Sequence, residues 1–240
     1  LAAGGTPSCA VELWTGSGQP VGAWSTGGSL NTARTALSGA GTSNTSALAF
    51  GGEGAPTTGA TESYNGSAWT EVNDLNSAKQ LAAGTGTQTS ALSIGGLVSS
   101  SKSALTESWN GTSWTEVNDL NTARRDLGSA GADITAALAF SGNLSPGSTN
   151  ITESWNGTSW TEVNDLNTAR MLPGSTGTQP SALCFGGFVP DFTSVYALTE
   201  SWNGTSWTEV GDLNSARAGA AGAGISTAAL AFGGGDTPNK

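Results

Sequence analysis

Histidine is absent from this chain of 240 residues, and charged residues make up only 11% of it. Without histidine the chain can build neither a His-based catalytic triad nor the common zinc sites that use imidazole ligands. Lysine and arginine number 8 against 18 aspartates and glutamates, which gives a net charge of -10. A track for nucleic-acid phosphates needs clustered basic residues, so this composition excludes DNA and RNA as partners.

Cysteines and long apolar runs are also scarce. Cys9 and Cys184 stand at unrelated positions without metal-binding or redox spacing, so we expect no disulfide between them and no cofactor. No apolar run reaches the roughly 18 to 20 residues that a membrane helix needs, and no signal peptide is visible. We therefore expect no membrane insertion. The first residue, Leu1, indicates a chain that was processed or cut from something longer.

Glycine, by contrast, takes 36 positions, and a Gly/Ser/Thr/Ala-rich balance favours short strands and tight turns over amphipathic helices. The phrase TESWNGTSWTEVNDLNTAR occupies residues 106–124 and again 152–170, with close copies from Thr61 and Thr199 and a degenerate copy over 11–34. The leucine of this phrase marks five repeats, 45 to 47 residues apart, at Leu30, Leu75, Leu120, Leu166 and Leu213. A period of about 45 residues predicts propeller blades of four strands each.

Each repeat contains four segments with strand character. Two of them, as in ALTESW and SWTEV, flank an Asn-Gly pair, which is typical of a hairpin with a type I′ turn. A Gly/Ala-rich segment follows, as in RRDLGSAGA, and then an apolar segment ending in glycines, as in SALAFGG. We interpret residues 1–240 as a single all-β domain.

Three marks of the repeat resemble the kelch family: a Gly pair closing one strand, an aromatic residue on the next strand, and a Trp on the following one. The Gly pairs are Gly51-Gly52, Gly95-Gly96, Gly186-Gly187 and Gly233-Gly234, with Ser141-Gly142 as a departure. Kelch repeats usually carry Tyr at the first aromatic position, which here is Tyr64 in one repeat and Trp in the others. The resemblance implies a β-propeller but no activity. The His ligands of the copper oxidases that share kelch architecture have no counterpart here.

Kelch strand order implies a five-bladed β-propeller with four antiparallel strands per blade and the Gly/Ala-rich strand innermost. The chain would begin with two outer strands and end with two inner ones, so both termini would share one blade and close the ring. Closure of this kind removes the exposed sheet edge. One detail does not fit this arrangement, because LAAGG at residues 1–5 resembles LAFGG at 230–234 and both cannot fill one strand position.

The tryptophans allow two interpretations. Each large ring could fill the space between neighbouring blades, burying roughly 150 to 250 Å². This packing role is the interpretation that we favour, because core requirements recur in every repeat. Alternatively, the rings beside the Asn-Gly turns, Trp109, Trp155 and Trp202, are the candidate glycan-stacking residues.

Most acidic residues are also periodic. Each repeat has a Glu at one fixed position and a basic residue at another; the basic residues are Arg34, Lys79, Arg124, Arg170 and Arg217. We expect a Glu–Arg pair and an Asp turn cap in each blade; a ring of carboxylates around the channel, binding Ca²⁺ or a basic partner, is the alternative. Glycoside hydrolysis needs two carboxylates in different environments, whereas these recur in equivalent ones. We therefore expect no enzyme.

Function in a repeat protein tends to lie where the copies differ. The loops between the Gly pair and the repeated Glu have 9, 10, 10 and 12 residues, and family strand order places them on one face with the VNDLNTAR connections. The last of these loops carries large apolar groups, and exposed apolar patches often mark a partner site. Its candidate partner-binding residues are Phe188, Val189, Phe192, Val195 and Tyr196; packing over the blade rim is the alternative.

These observations favour a non-enzymatic binding or display module, such as a virion tail fibre, a capsid decoration or a cell-surface adhesin. Near-identical repeats rich in Gly, Ser and Thr look similar to phage-type structural proteins with kelch-like repeats. We expect a protein partner or a surface assembly, and an extracellular or virion-surface location. The alternatives are a multivalent carbohydrate-binding lectin, in which linked weak sites gain avidity, and a glycosidase.

Overall fold

A computed structural model describes residues 12–15, 23–144, 147–188 and 193–235, with the backbone alone for 12–15 and 23–25. This part of the chain forms 22 β-strands and no helix, and consequently no helix long and apolar enough to cross a membrane. The strands are β1 (Glu12–Thr15), β2 (Ala23–Thr26), β3 (Ser38–Ser43), β4 (Ser46–Phe50), β5 (Thr61–Tyr64), β6 (Trp69–Val72), β7 (Ala83–Thr87), β8 (Ser90–Ile94), β9 (Leu97–Val98), β10 (Ser101–Lys102), β11 (Thr106–Trp109), β12 (Trp114–Val117), β13 (Gly128–Asp133), β14 (Ala136–Phe140), β15 (Thr152–Trp155), β16 (Trp160–Val163), β17 (Gly174–Thr178), β18 (Ser181–Phe185), β19 (Thr199–Trp202), β20 (Trp207–Val210), β21 (Ala218–Ile225) and β22 (Ala228–Gly235).

Four of the repeats form complete blades, each an antiparallel sheet of four strands in sequence order. Blade 1 is β3 to β6, blade 2 is β7, β8, β11 and β12, blade 3 is β13 to β16, and blade 4 is β17 to β20. The all-β propeller with four antiparallel strands per blade, predicted from the sequence, is confirmed. Blade 2 also carries the short hairpin β9–β10 within its loop.

The first strand of each blade is innermost. The inner strands β3, β7, β13, β17 and β21 pack against one another in that order and line a central cavity of about 1490 Å³. Small side chains allow this approach and bond across it: the Ser38 hydroxyl donates to the Ala82 carbonyl of the next blade at 2.8 Å. The Ser129 hydroxyl likewise donates back to Gly84 O at 3.0 Å.

The hairpin between the two outer strands forms as predicted, but its turn differs from the expected type I′. Four residues, Asn65 to Ala68, separate the paired Tyr64 and Trp69, and only Gly66 has a left-handed φ, of 95°. The Asn65 side-chain oxygen instead accepts the backbone N–H groups of Ser67 and Ala68, each at 3.0 Å. The asparagine thus acts through its side chain, which stabilises a longer turn.

A belt of backbone hydrogen bonds runs around the mouth of the channel. One residue per blade takes a left-handed φ there, and its N–H donates to the carbonyl of the equivalent residue in the preceding blade. The residues are Ala36, Leu81, Asp126, Leu172 and Gly219, and the four bonds between them measure 2.8 to 3.0 Å. Among the described residues, no bond joins Gly219 back to Ala36.

The predicted shared terminal blade is not formed in this structure. Within the described part of the chain, β1 pairs only with β2, and β22 pairs only with β21, as two separate sheets. The strands β21–β22 continue the ring as a half-blade, because β21 packs against β17. Five closed blades therefore remain a prediction, and residues 1–5, with the LAAGG segment, lie outside the described residues.

Candidate functional site

One set of repeated charges lies inside blades 1 to 4. Each Glu of a third strand is buried and pairs with the basic residue of the connection preceding its blade. The pairs are Arg34–Glu62 at 2.6 Å, Lys79–Glu107 at 3.5 Å, Arg124–Glu153 and Arg170–Glu200 at 2.5 Å. Each carboxylate also accepts the backbone and side-chain N–H groups of an Asn on the same connection, as Glu153 does from Asn121. These groups hold successive blades together and leave no charge exposed for a ligand.

Lys79 is the weak member of this series. Burial lowers the pKa of its ammonium, and the hydrogen-bonded Glu107 opposes that shift. Its Nζ lies 3.5 Å from Glu107 Oε1 and 3.3 Å from the Leu105 carbonyl, whereas the arginines at this position hold their carboxylates more closely.

Replacing Lys79 by Arg should raise the free energy of unfolding by about 1 kcal/mol, because a guanidinium offers more donors in the required geometry. Urea denaturation of the two proteins measures this difference. A loss of stability would show that blade 2 lacks the space that the other blades provide, and that the pairs are not equivalent.

The tryptophans pack within and between blades. Trp109, Trp155 and Trp202 are only 1 to 2% exposed, and their indole N–H groups donate to Gln88, Ile134 and Gln179 carbonyls in the inner turns of their own blades. A stacking platform needs an open ring face, so the glycan-stacking prediction for these three residues is wrong in this structure. The packing interpretation accounts for them instead.

The repeated aspartates cap turns, as expected. In four blades an Asp side-chain oxygen accepts the backbone N–H of the Thr that begins the third strand, at 3.0 to 3.2 Å. The alternative of a carboxylate ring around the channel is not realised, because Asp126 is the one acidic residue among the described residues lining the central cavity. Within the same part of the chain, no cluster of His, Cys, Asp and Glu could hold a metal ion.

The apolar loop of blade 4 packs partly over its own blade. Phe188, Val195 and Tyr196 are half-buried; Phe188 forms antiparallel bridges with Met171 and Val195, and the guanidinium carbon of Arg170 lies 5.6 Å from the centre of the Tyr196 ring. Val189 and Phe192 lie outside the described residues. For the described residues of this loop the rim-packing alternative fits, and a role in partner binding stays a prediction.

The basic residues outside the repeated position lie in a different part of the molecule. Five of the 8 basic residues belong to the repeated position, and Lys240 lies outside the described residues. The other two, Lys102 and Arg125, line one pocket of about 710 Å³. Its lining is completed by Leu97, Ser100, Ser101, Ala123 and Leu144.

This pocket lies between blades 2 and 3. Its walls come from the β9–β10 loop, from the connection that leads into blade 3, and from the loop of blade 3. The variable loops and the connections therefore share one face, as strand order predicted; we call it the loop face. The two cations and the two serine hydroxyls give the pocket the chemistry of an anion-binding site.

Asp126 lies between the pocket and the channel, because it lines the central cavity and contacts Arg125 of the pocket. Its Oδ2 lies 3.4 Å from Arg125 Nε, which fixes one edge of the guanidinium, while its buried Oδ1 has no hydrogen-bond partner. Burial raises the pKa of this carboxyl, and Arg125 and Lys102 oppose the rise. Asp126 positions Arg125 at the cost of neutralising part of its charge.

No protein-family model and no curated protein matches this chain. The solved structures of similar fold include that of YjhT. The two share a TM-score of 0.81 and 12% sequence identity, over 97% of this chain and 86% of YjhT. At this identity the likeness supports the architecture alone, so the function has to be argued from the pocket and the loops.

Proposed function

We propose that this chain is a non-enzymatic binding and display module whose loop face contacts an anionic group of its partner. The observation that carries this proposal is the convergence of Lys102 and Arg125 in one pocket of a chain with a net charge of -10. Every other described basic residue belongs to the repeated position: four of them are buried in ion pairs with a Glu, and Arg217 donates to the Gly233 carbonyl. The repeats thus supply a scaffold, and the unrepeated charges supply recognition. Display on a virion or cell surface is the setting that best suits such near-identical, kelch-like repeats.

Carbohydrate binding is the second candidate function. The evidence for it comes from the pocket and not from the tryptophans, which are buried. Sugar ligands are typically held by hydroxyl, amide and charged groups beside an apolar surface, and a pocket of 300 to 1,000 Å³ is the usual size for a small ligand. Ser100, Ser101 and Arg125 supply the polar groups, and Leu97 and Leu144 the apolar ones. A carboxylated or sulfated oligosaccharide fits this lining better than a neutral one.

A glycosidase receives less support from the unrepeated acids. Asp126 precedes β13 at the loop face, whereas Asp133 ends the same strand at the opposite face and accepts N–H and O–H donors from Thr135. Glu53 lies in the loop of blade 1, exposed to solvent. Two-carboxylate hydrolysis needs the groups about 5 to 10 Å apart across one substrate, and these three residues occupy separate places.

A glycan array that contains acidic and neutral oligosaccharides tests the proposal. We expect the protein to retain acidic glycans, and the double variant Lys102→Gln/Arg125→Gln to bind them at least about tenfold more weakly, because each charge-assisted hydrogen bond contributes about 1.5–3 kcal/mol. The matched control is Thr45→Glu/Thr89→Glu, which changes the net charge equally at two exposed turns on the opposite face.

The outcomes separate the candidates. Retention of acidic glycans that only the pocket variant abolishes supports the lectin. Binding to an acidic protein surface, again lost only in the pocket variant, supports protein display. If both double variants weaken binding equally, the effect comes from net charge alone. Unchanged binding by the pocket variant would overturn the assignment of the site.

A further inference from the structure

One position of the hydrogen-bonded belt carries a charged side chain. Asp126 holds this position at the entry to blade 3, whereas the other repeats have the uncharged Ala36, Leu81, Leu172 and Gly219. The backbone of Asp126 forms the same bonds as its equivalents: its N–H donates to the Leu81 carbonyl at 3.0 Å, and its carbonyl accepts the N–H of Leu172 at 2.8 Å. The belt therefore forms with or without a carboxylate, and it does not account for the one in blade 3.

The carboxylate of Asp126 is only partly paired. Its side chain is 4% exposed, and its one ion pair among the described residues is the 3.4 Å contact of Oδ2 with Arg125 Nε. Oδ1 is buried without a hydrogen-bond partner. A buried charge with so little compensation favours its neutral, protonated form.

Few charges act on this carboxyl. Burial raises its pKa above the ordinary value of 3.8, and the charged groups that oppose the rise are Arg125 and Lys102, both at the pocket. On the other side, the described lining of the central cavity contains no charged residue besides Asp126. The two pocket cations are thus the groups to which the charge of Asp126 is coupled.

The backbone beside Asp126 is fixed as well. The Asn143 N–H donates to the Arg125 carbonyl at 2.7 Å, and the Arg125 N–H donates to the Asn143 carbonyl at 3.4 Å. These bonds tie the connection to the loop of blade 3. The Arg125 side chain, in contrast, is 30% exposed and lines the pocket. A change in the charge of Asp126 therefore acts on the guanidinium of Arg125 and not on the path of the chain.

We infer that Asp126 regulates anion binding at this pocket by taking up and releasing a proton, an inference that rests on the proposed function. The ionised carboxylate neutralises part of the charge of Arg125 and repels an anion held by Arg125 and Lys102. In the protonated form this repulsion is absent, and both cations act fully on the anion. Anion binding consequently tightens as the pH falls through the pKa of Asp126. By linkage, a bound anion raises that pKa further.

Titration with inorganic sulfate tests this inference at about pH 8 and about pH 5, between which Lys and Arg stay charged. Sulfate also keeps its charge over this range. Its affinity is measured by NMR from the backbone amides of the β9–β10 loop. At the higher pH, we expect Asp126→Asn to bind sulfate at least about fivefold more tightly than the unchanged protein, because one nearby like charge is removed. At the lower pH the two affinities should converge.

Two further variants separate the charge of Asp126 from its structural role. Asp126→Leu introduces the residue of blades 2 and 4, where Leu81 and Leu172 have φ values of 55° and 51° against 56° for Asp126. The belt accommodates leucine there, so this variant should bind sulfate as tightly as Asp126→Asn at both pH values. Asp133→Asn removes an equal charge at the opposite face and should leave the affinity and its pH dependence unchanged.

The outcomes distinguish this inference from the proposed function. Tighter binding by both Asp126 variants at the higher pH, with a smaller pH dependence than in the unchanged protein, supports the inference. The same pH dependence in all the proteins, or weaker binding by both Asp126 variants, overturns it while the anion site itself stands. If none of the proteins binds sulfate at either pH, the proposed function is overturned and this inference with it.

Discussion

Replacing Glu153 by Gln should lower the free energy of unfolding by about 3–5 kcal/mol. The carboxylate is fully buried, bonds to the guanidinium of Arg124 and accepts two N–H groups of Asn121. Glutamine keeps the size of the side chain but removes its charge and one acceptor, so Arg124 is left as an uncompensated buried cation. Urea denaturation monitored by tryptophan fluorescence measures the loss.

The control for this change lies directly opposite on the same sheet. Glu162 pairs with Glu153 in the β15–β16 register, but it is exposed and takes part in none of the four ion pairs. Glu162→Gln should leave the unfolding free energy nearly unchanged. Equal losses at the two positions would mean that the buried ion pairs do not bind the blades together.

A methyl group at Gly84 should destabilise the protein because it would clash with the neighbouring blade. An added Cβ would lie 2.6 Å from the Gly39 carbonyl oxygen and 2.8 Å from the ring of Phe50, both in blade 1. The backbone oxygen cannot move without shifting β3, so we expect Gly84→Ala to destabilise the protein by about 2–3 kcal/mol.

The control for Gly84 is Gly211, where an added Cβ meets nothing within 4 Å. Gly211→Ala should be neutral or slightly stabilising, since alanine restricts the unfolded chain more than glycine does. Thermal unfolding of both variants checks the pair. A harmless Gly84→Ala would show that the inner strands are not in close contact across the channel.

The sequence predicted the repeated parts of the fold because periodic requirements produce periodic residues. The four strands per repeat, the Glu–Arg pairs and the Asp caps follow from positions that recur every 45 to 47 residues, whereas the order of the strands was taken from the resemblance to kelch repeats. The turn after Tyr64 was predicted with the wrong type, since the backbone rule for Asn-Gly omits the bonds of the Asn65 side chain. The stacking role of Trp109 was wrong because its indole N–H is bonded inside the blade.

The pocket escaped prediction because its two cations come from different repeats. Lys102 lies in the loop of blade 2, and Arg125 follows the repeated Arg124 on the next connection. Nothing in either local sequence indicates that the two meet. The sequence does contain one indication of them: when the five residues of the repeated basic position are set aside, Lys102, Arg125 and Lys240 are the only basic residues left of the 8.

The central claim is that repeated charges hold the scaffold together while unrepeated charges bind a partner, and two adjacent arginines test it. Arg124 is fully buried against Glu153, whereas the side chain of Arg125 is 30% exposed at the pocket. Tm and binding to acidic glycans are measured for Arg124→Gln and Arg125→Gln side by side. We predict that Arg124→Gln lowers Tm by about 10 °C, and that Arg125→Gln leaves Tm nearly unchanged but weakens binding at least about tenfold. The opposite pattern, or equal effects of the two substitutions on both quantities, would contradict this division between scaffold and site.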